Sequence, residues 1–124
     1  MTIKKILIVD DEKSMRTSLA LALRSPSYET SQVENGLEAI ECLRNTSYDL
    51  LITDYVMPKM DGLQLMKRIK KQYPSLPVLV ISGDAPVQKF IEAGASGFLQ
   101  KPFDVDEIKN LVCKQLYKKN DCTN

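Results

Sequence analysis

Three observations predict an α/β fold built on a parallel sheet. Short apolar runs recur along the chain, amphipathic helical patterns separate them, and turn-forming residues mark most of the joins. Residues 1–120 read as one domain and 121–124 as a polar tail, a natural partition for a chain of 124 residues.

Taken in order, Ile3 to Val9 forms the first strand and runs into the acidic cluster Asp10-Asp11-Glu12. A helix follows from about Ser14 to Arg24, with Met15, Leu19, Ala22 and Leu23 at near-helical spacing, and Ser25-Pro26-Ser27 ends it. Tyr28 to Val33 is the second strand. Asn35 with Glu38 three residues on is a capped helix start, and Leu37, Ile40 and Leu43 supply the apolar stripe.

Tyr48 to Thr53 is the third strand, and it delivers Asp54 at its carboxyl end. Asp61 caps a helix from about Gly62 to Lys71, with Leu63, Met66 and Ile69 inward. Val78 to Ile81 is the fourth strand and stops at Ser82-Gly83. A short helix spans Pro86 to Ala93, and Gly94 terminates it. Gly97 to Gln100 is the fifth strand, running into Lys101-Pro102. Asp104 and Glu107 open the last helix, whose inward side carries Ile108, Leu111, Val112 and Leu116. Right-handed crossovers leave few topologies for five such units, and a flavodoxin-like order, 2-1-3-4-5, leads them.

Composition excludes several classes. With 17 basic and 16 acidic residues the net charge is +1, so nothing argues for a direct nucleic-acid surface or for disorder. No apolar run approaches the ~18 residues of a membrane span, and the amino terminus lacks a signal-peptide core. Cys42, Cys113 and Cys122 lack metal-ligand spacing and suggest reduced thiols in a cytoplasmic protein. Histidine, the commonest general base and metal ligand, is absent.

The predicted topology brings the ends of strands 1, 3, 4 and 5 to one sheet edge, where ligands of open α/β sheets bind. The edge carries Asp10-Asp11, Asp54, Ser82 and Lys101. Singly, these residues read as a helix cap, a turn former, an ordinary turn and a solvated lysine. Their convergence is what those readings leave unexplained. Crowded carboxylates repel, and a hard cation such as Mg²⁺ relieves them. Lys101 adds a positive charge and Ser82 a hydroxyl donor. That set suits phosphoryl transfer onto a carboxylate, with Asp54 as nucleophile and the cation and Lys101 neutralising the phosphoryl oxygens.

The segments VDDE at 9–12, TDYVMPKMDG at 53–62, ISG at 81–83 and GASGFLQKPF at 94–103 together resemble a bacterial two-component response regulator receiver domain, across essentially the whole chain. The resemblance implies phosphorylation of Asp54 by a sensor histidine kinase, with Mg²⁺ on Asp11, Asp54 and the Val56 carbonyl and Asp10 reaching it through water. It also implies Ser82 as the switch hydroxyl, Phe98 as the switch aromatic, Lys101 as the family's lysine, and a cis peptide before Pro102. A conformational change would then control a downstream effector protein or domain, and the family allows a phosphorylation-dependent homodimer. Catalysis would extend only to the domain's own phosphotransfer and dephosphorylation.

Phe98 has no hydroxyl, so its switching would rest on packing alone. The chain is about three residues short between Ser82 and Lys101, which trims the fourth helix by roughly one turn. That shortening puts the usual dimer geometry in question and suggests signalling through an altered face. Apolar Val56 gives attacking water no help, which predicts slow hydrolysis beside acidic Asp84. The sequence shows no effector domain after Asn124, so the expectation is a stand-alone receiver or a fragment of a longer regulator. Competing readings are a flavodoxin-like cofactor module, which Asp10-Asp11 disfavours, an aspartate phosphohydrolase, which Val56 disfavours, and a degenerate pseudo-receiver that only binds.

Overall fold

The computed structural model describes residues 2–55, 60–83 and 86–117. Five parallel strands, β1 (Lys4–Val9), β2 (Tyr28–Val33), β3 (Leu50–Asp54), β4 (Val78–Ser82) and β5 (Gly97–Gln100), form one sheet in the order β2-β1-β3-β4-β5. Between and after them run α1 (Lys13–Ala22), α2 (Gly36–Asn45), α3 (Gly62–Gln72), α4 (Val87–Glu92) and α5 (Val105–Leu116). The expected flavodoxin-like topology is therefore the observed one.

Strand alternation sorts the core into two layers. Ile6, Ile8, Leu50, Ile52, Leu79 and Ile81 pack with Leu19 and Leu23 from the α1 side and Ile108 and Val112 of α5. Leu7, Val9, Leu51, Val78 and Val80 pack the other face against α2, α3 and α4. β3 and β4 are buried at every position, as strands covered on both faces must be. Polar β2 is partly exposed throughout and takes an edge.

Three helices begin on side-chain caps. Asn35 accepts from the Glu38 N–H, while Asp61 with Gln64 and Asp104 with Glu107 form reciprocal capping boxes. Gly94, at φ 102°, turns the chain out of α4 into the left-handed region.

Several sequence expectations shift. Leu37 was expected on the α2 stripe but is exposed, because the buried face runs Gly36, Ala39, Ile40, Leu43 and leaves Leu37 outside it. On α3, Leu65 joins Met66 and Ile69 in the core, while Leu63 is only half-buried. The Lys70 ammonium donates to the Leu76 carbonyl at 2.8 Å, and burial lowers its pKa. Cys42 is a free thiol, but Cys113 is disulfide-bonded, against the expectation of three reduced thiols. Cys122 lies outside the described residues. Among the described residues, no helix is long and apolar enough to cross a membrane.

Candidate phosphoacceptor site

Strand register sets the site. Val9 pairs with Thr53, Asp54 with Ile81, and Ser82 with Gln100, so the residues at or just past these ends share one edge. They are Asp10, Asp54, Ser82 and Lys101. The Lys101 N–H donates to the Ser82 carbonyl at 3.0 Å, tying the ends of β4 and β5 together. The Lys101–Pro102 peptide is cis.

Asp10 and Asp54 are both buried, at 1% and 7% exposure, and buried carboxylates need partners. The Asp54 Oδ1 accepts the Tyr55 N–H at 2.8 Å and lies 3.5 Å from the Lys101 ammonium. The Asp10 Oδ1 accepts the Glu12 N–H at 2.9 Å, and the Arg16 guanidinium donates to the Asp10 carbonyl at 2.8 Å. These partners do not offset desolvation. Burial pushes the Asp10 pKa up to about 6, with the neighbouring charges of Asp54 and Asp11 adding to the rise and the Glu12 N–H and Lys101 opposing it. Burial also raises the Asp54 pKa, against the opposing pull of Lys101 and the Tyr55 N–H.

Carboxylate oxygens of Asp10, Glu12 and Asp54 lie within 4.8 Å of one another. Hard oxygen donors at this spacing can surround a small divalent cation. Asp11 is exposed and outside that trio, although its charge acts on both Asp10 and Asp54. Val56, with its carbonyl expected as a ligand, and Asp84 lie outside the described residues. Ser82 is buried at the end of β4, and Phe98 is half-buried on β5.

Two features escaped sequence reasoning. Glu12 sits in the acidic run already noted, but past the end of β1 no periodicity says which of the acids after Asp10 brings a carboxylate oxygen close to Asp10 and Asp54. The other is a chain of rings. Tyr55 meets Phe90 edge-to-face with centroids 5.2 Å apart, and Phe90 meets Phe98 at 6.5 Å. The residue after Asp54 is thereby packed through α4 to β5, and no spacing rule connects positions so far apart.

A parallel sheet with buried acids and a lysine at its carboxyl edge defines a class of phosphoacceptor modules, and comparison with known proteins agrees. The sequence matches the family described as response regulator receiver domain over residues 6–113, and this chain belongs to that family. It is 39% identical over 110 residues to the DNA-binding transcriptional regulator NtrC of Escherichia coli (strain K12), covering 86% of this chain but 24% of that protein. It is 35% identical over 121 residues to sporulation initiation phosphotransferase F of Bacillus subtilis (strain 168), covering 95% of this chain and 98% of that one. Among solved structures, the receiver domain of NtrX from Brucella abortus superposes with a TM-score of 0.83 at 32% identity, covering 92% of this chain and 99% of that one. Family membership favours the receiver over the cofactor module and the phosphohydrolase. The chain spans about a quarter of the NtrC relatives it matches, 24% in the Escherichia coli protein.

Proposed function

We propose that this receiver takes a phosphoryl group from a sensor histidine kinase onto Asp54 and passes the resulting change of conformation to a downstream effector, in the cytoplasm. The observation that carries the reading is the buried Asp54 carboxylate, 3.5 Å from Lys101 and clustered with two further carboxylates. A carboxylate oxygen of Asp54 attacks phosphorus while the bond to the donor's imidazole nitrogen breaks, and that nitrogen keeps the bonding electrons. Lys101 neutralises part of the phosphoryl charge, and Ser82 bonds to a phosphoryl oxygen in the activated form.

The hard-oxygen donor set fits Mg²⁺, with Asp10, Asp11, Asp54 and the Val56 carbonyl as its proposed ligands. When bound, the ion neutralises charge on the phosphoryl oxygens and offsets the repulsion between the acids. Phe98, packed on Phe90, is the proposed switch aromatic. Phosphorylation would shift a two-state balance by favouring the form in which Ser82 and Phe98 have moved. Hydrolysis of the phosphoryl group is the domain's only other chemistry, and partner choice, including a phosphorylation-dependent homodimer, belongs to the activated form.

The test is incubation with Mg²⁺ and a small phosphodonor such as acetyl phosphate, followed by intact mass measurement. One phosphoryl group is expected on the wild type, and none on Asp54→Asn or in the presence of a chelator. Equal modification of wild type and Asp54→Asn would remove Asp54 from the mechanism.

A further inference from the structure

Helix α3 carries Lys67, Arg68, Lys70 and Lys71 and no acidic residue, in a chain whose net charge is only +1. Beside it, an open cleft of about 390 Å³ is lined by Leu63 and Lys67 of α3, Lys89 and Glu92 of α4, and Ala93. We propose that this cleft is a docking surface for an acidic segment of a partner protein, one that combines Asp or Glu residues with an apolar anchor. The inference goes beyond the phosphoacceptor site and does not depend on Asp54 accepting a phosphoryl group.

Leu63, Lys67, Lys70 and Lys71 stand at i, i+4, i+7 and i+8, on one side of α3. They span about 12 Å, the reach of roughly four residues of extended chain. Lys70 is spent on the fold, its stem lying against Gly94 just past α4 and its ammonium bonded to the Leu76 carbonyl. Lys67, Lys71 and Lys89 are exposed, and among the described residues none of them pairs with an acid. The acid in the cleft, Glu92, accepts instead from the Gln88 amide at 3.4 Å. Helix stability does not account for the arrangement. Lys67 and Lys71 form a like-charged i,i+4 pair, which weakens a helix. The macrodipole favours Lys70 and Lys71 in the last turn but gives little to Lys67 in mid-helix. An acidic segment would relieve that repulsion, while half-buried Leu63 and Ala93 supply apolar contact. No aromatic ring lines the cleft, so it offers no stacking surface to the bases of a nucleic acid.

The test is fluorescence anisotropy at low salt, where exposed charges are least screened. The probes are a labelled peptide of glutamates and leucines, its counterpart with glutamine for glutamate, and a single-stranded oligonucleotide. The acidic peptide should bind the wild type, and the glutamine peptide should not. Binding should weaken roughly tenfold in Lys67→Glu and in Lys89→Glu, and by less than about twofold in Lys109→Glu, an exposed position on α5 outside the cleft. Glu92→Gln removes the opposing charge and should tighten binding by about twofold, a gain that damage to the fold would not produce. Absence of binding to the acidic peptide, or equal binding by wild type and Lys67→Glu, overturns the assignment. Equal weakening in Lys109→Glu also overturns it, because net charge alone would then explain the effect. Tighter binding of the oligonucleotide, lost in the same variants, overturns the choice of an acidic protein segment in favour of nucleic acid.

Discussion

Asp10 carries an energetic load that only its surroundings reveal. Its pKa of about 6 exceeds the ordinary 3.8, so the folded state holds the proton more tightly than the unfolded chain. Below about pH 4 both states are protonated and the associated stability is fully present. As pH rises through about 6 the folded protein must ionise a buried acid, and that stability is lost. At about 1.4 kcal/mol per pH unit, the loss without a cation is on the order of 2–3 kcal/mol. In a chelator, Asp10→Asn is therefore expected to be more stable than wild type near pH 7 and no more stable near pH 4. Urea unfolding at the two pH values measures the difference, and Mg²⁺ should shrink it. Gly62 imposes a different constraint. A Cβ there would run into the Asp54 carbonyl oxygen and approach the Tyr55 Cα at 2.9 Å, and backbone atoms cannot turn aside as a flexible side chain can. Gly62→Ala ordinarily favours a helix by about 1 kcal/mol. Here the collision should win, destabilising by roughly 1–3 kcal/mol and slowing phosphorylation of the displaced Asp54. An unchanged urea midpoint would show that the β3–α3 connection yields without cost.

Element by element, α4 is the shortest helix. It has six residues, and Phe90 is its one buried side chain, while Val87 and Ile91 stand largely in solvent. Phe90→Ala should cost about 3 kcal/mol, within the range for buried aromatics. It should also raise hydrogen exchange over residues 87–92 well above that in the strands. Ile91→Ser is the matched control, expected to stay within about 0.5 kcal/mol of wild type because the side chain is already exposed. The strands and capped helices were legible in the sequence because their signals are local. Continuous apolar runs marked β3 and β4, and Asn35, Asp61 and Asp104 marked helix starts. The α2 stripe was misphased because Leu37 competes with Ala39, and a small buried residue gives a weak hydrophobic signal. Nothing in the sequence singles out Phe90, since its contacts with Tyr55 and Phe98 exist only after the sheet has formed.

At the scale of the whole molecule, four of the five strands end at the same site, so its occupancy should be felt throughout the sheet. The topology made Asp54, Ser82 and Lys101 legible, because strand order alone carries their residues to one edge. The approach of the exposed Glu12 carboxylate to Asp10 and Asp54 was not legible, because it depends on backbone geometry beyond the last paired residue of β1. The Asp54–Lys101 pair bridges β3 and β5 across the intervening β4, and the Lys101–Ser82 backbone bond closes the edge. A phosphoryl mimic bound there with Mg²⁺ stabilises the folded state by mass action, by about 2.7 kcal/mol at a hundredfold excess over its Kd. For a chain of this size that is on the order of a 10 °C rise in unfolding temperature. Beryllofluoride with Mg²⁺ should produce such a rise in wild type, little in Asp54→Asn, and a reduced one in Lys101→Met. Hydrogen exchange should slow at the carboxyl ends of β1, β3, β4 and β5 together, since one ligand contacts residues following or ending each. A rise confined to the loop after β3 would mean that the site is read locally, and the coupling between the acids, Lys101 and the sheet would have to be abandoned.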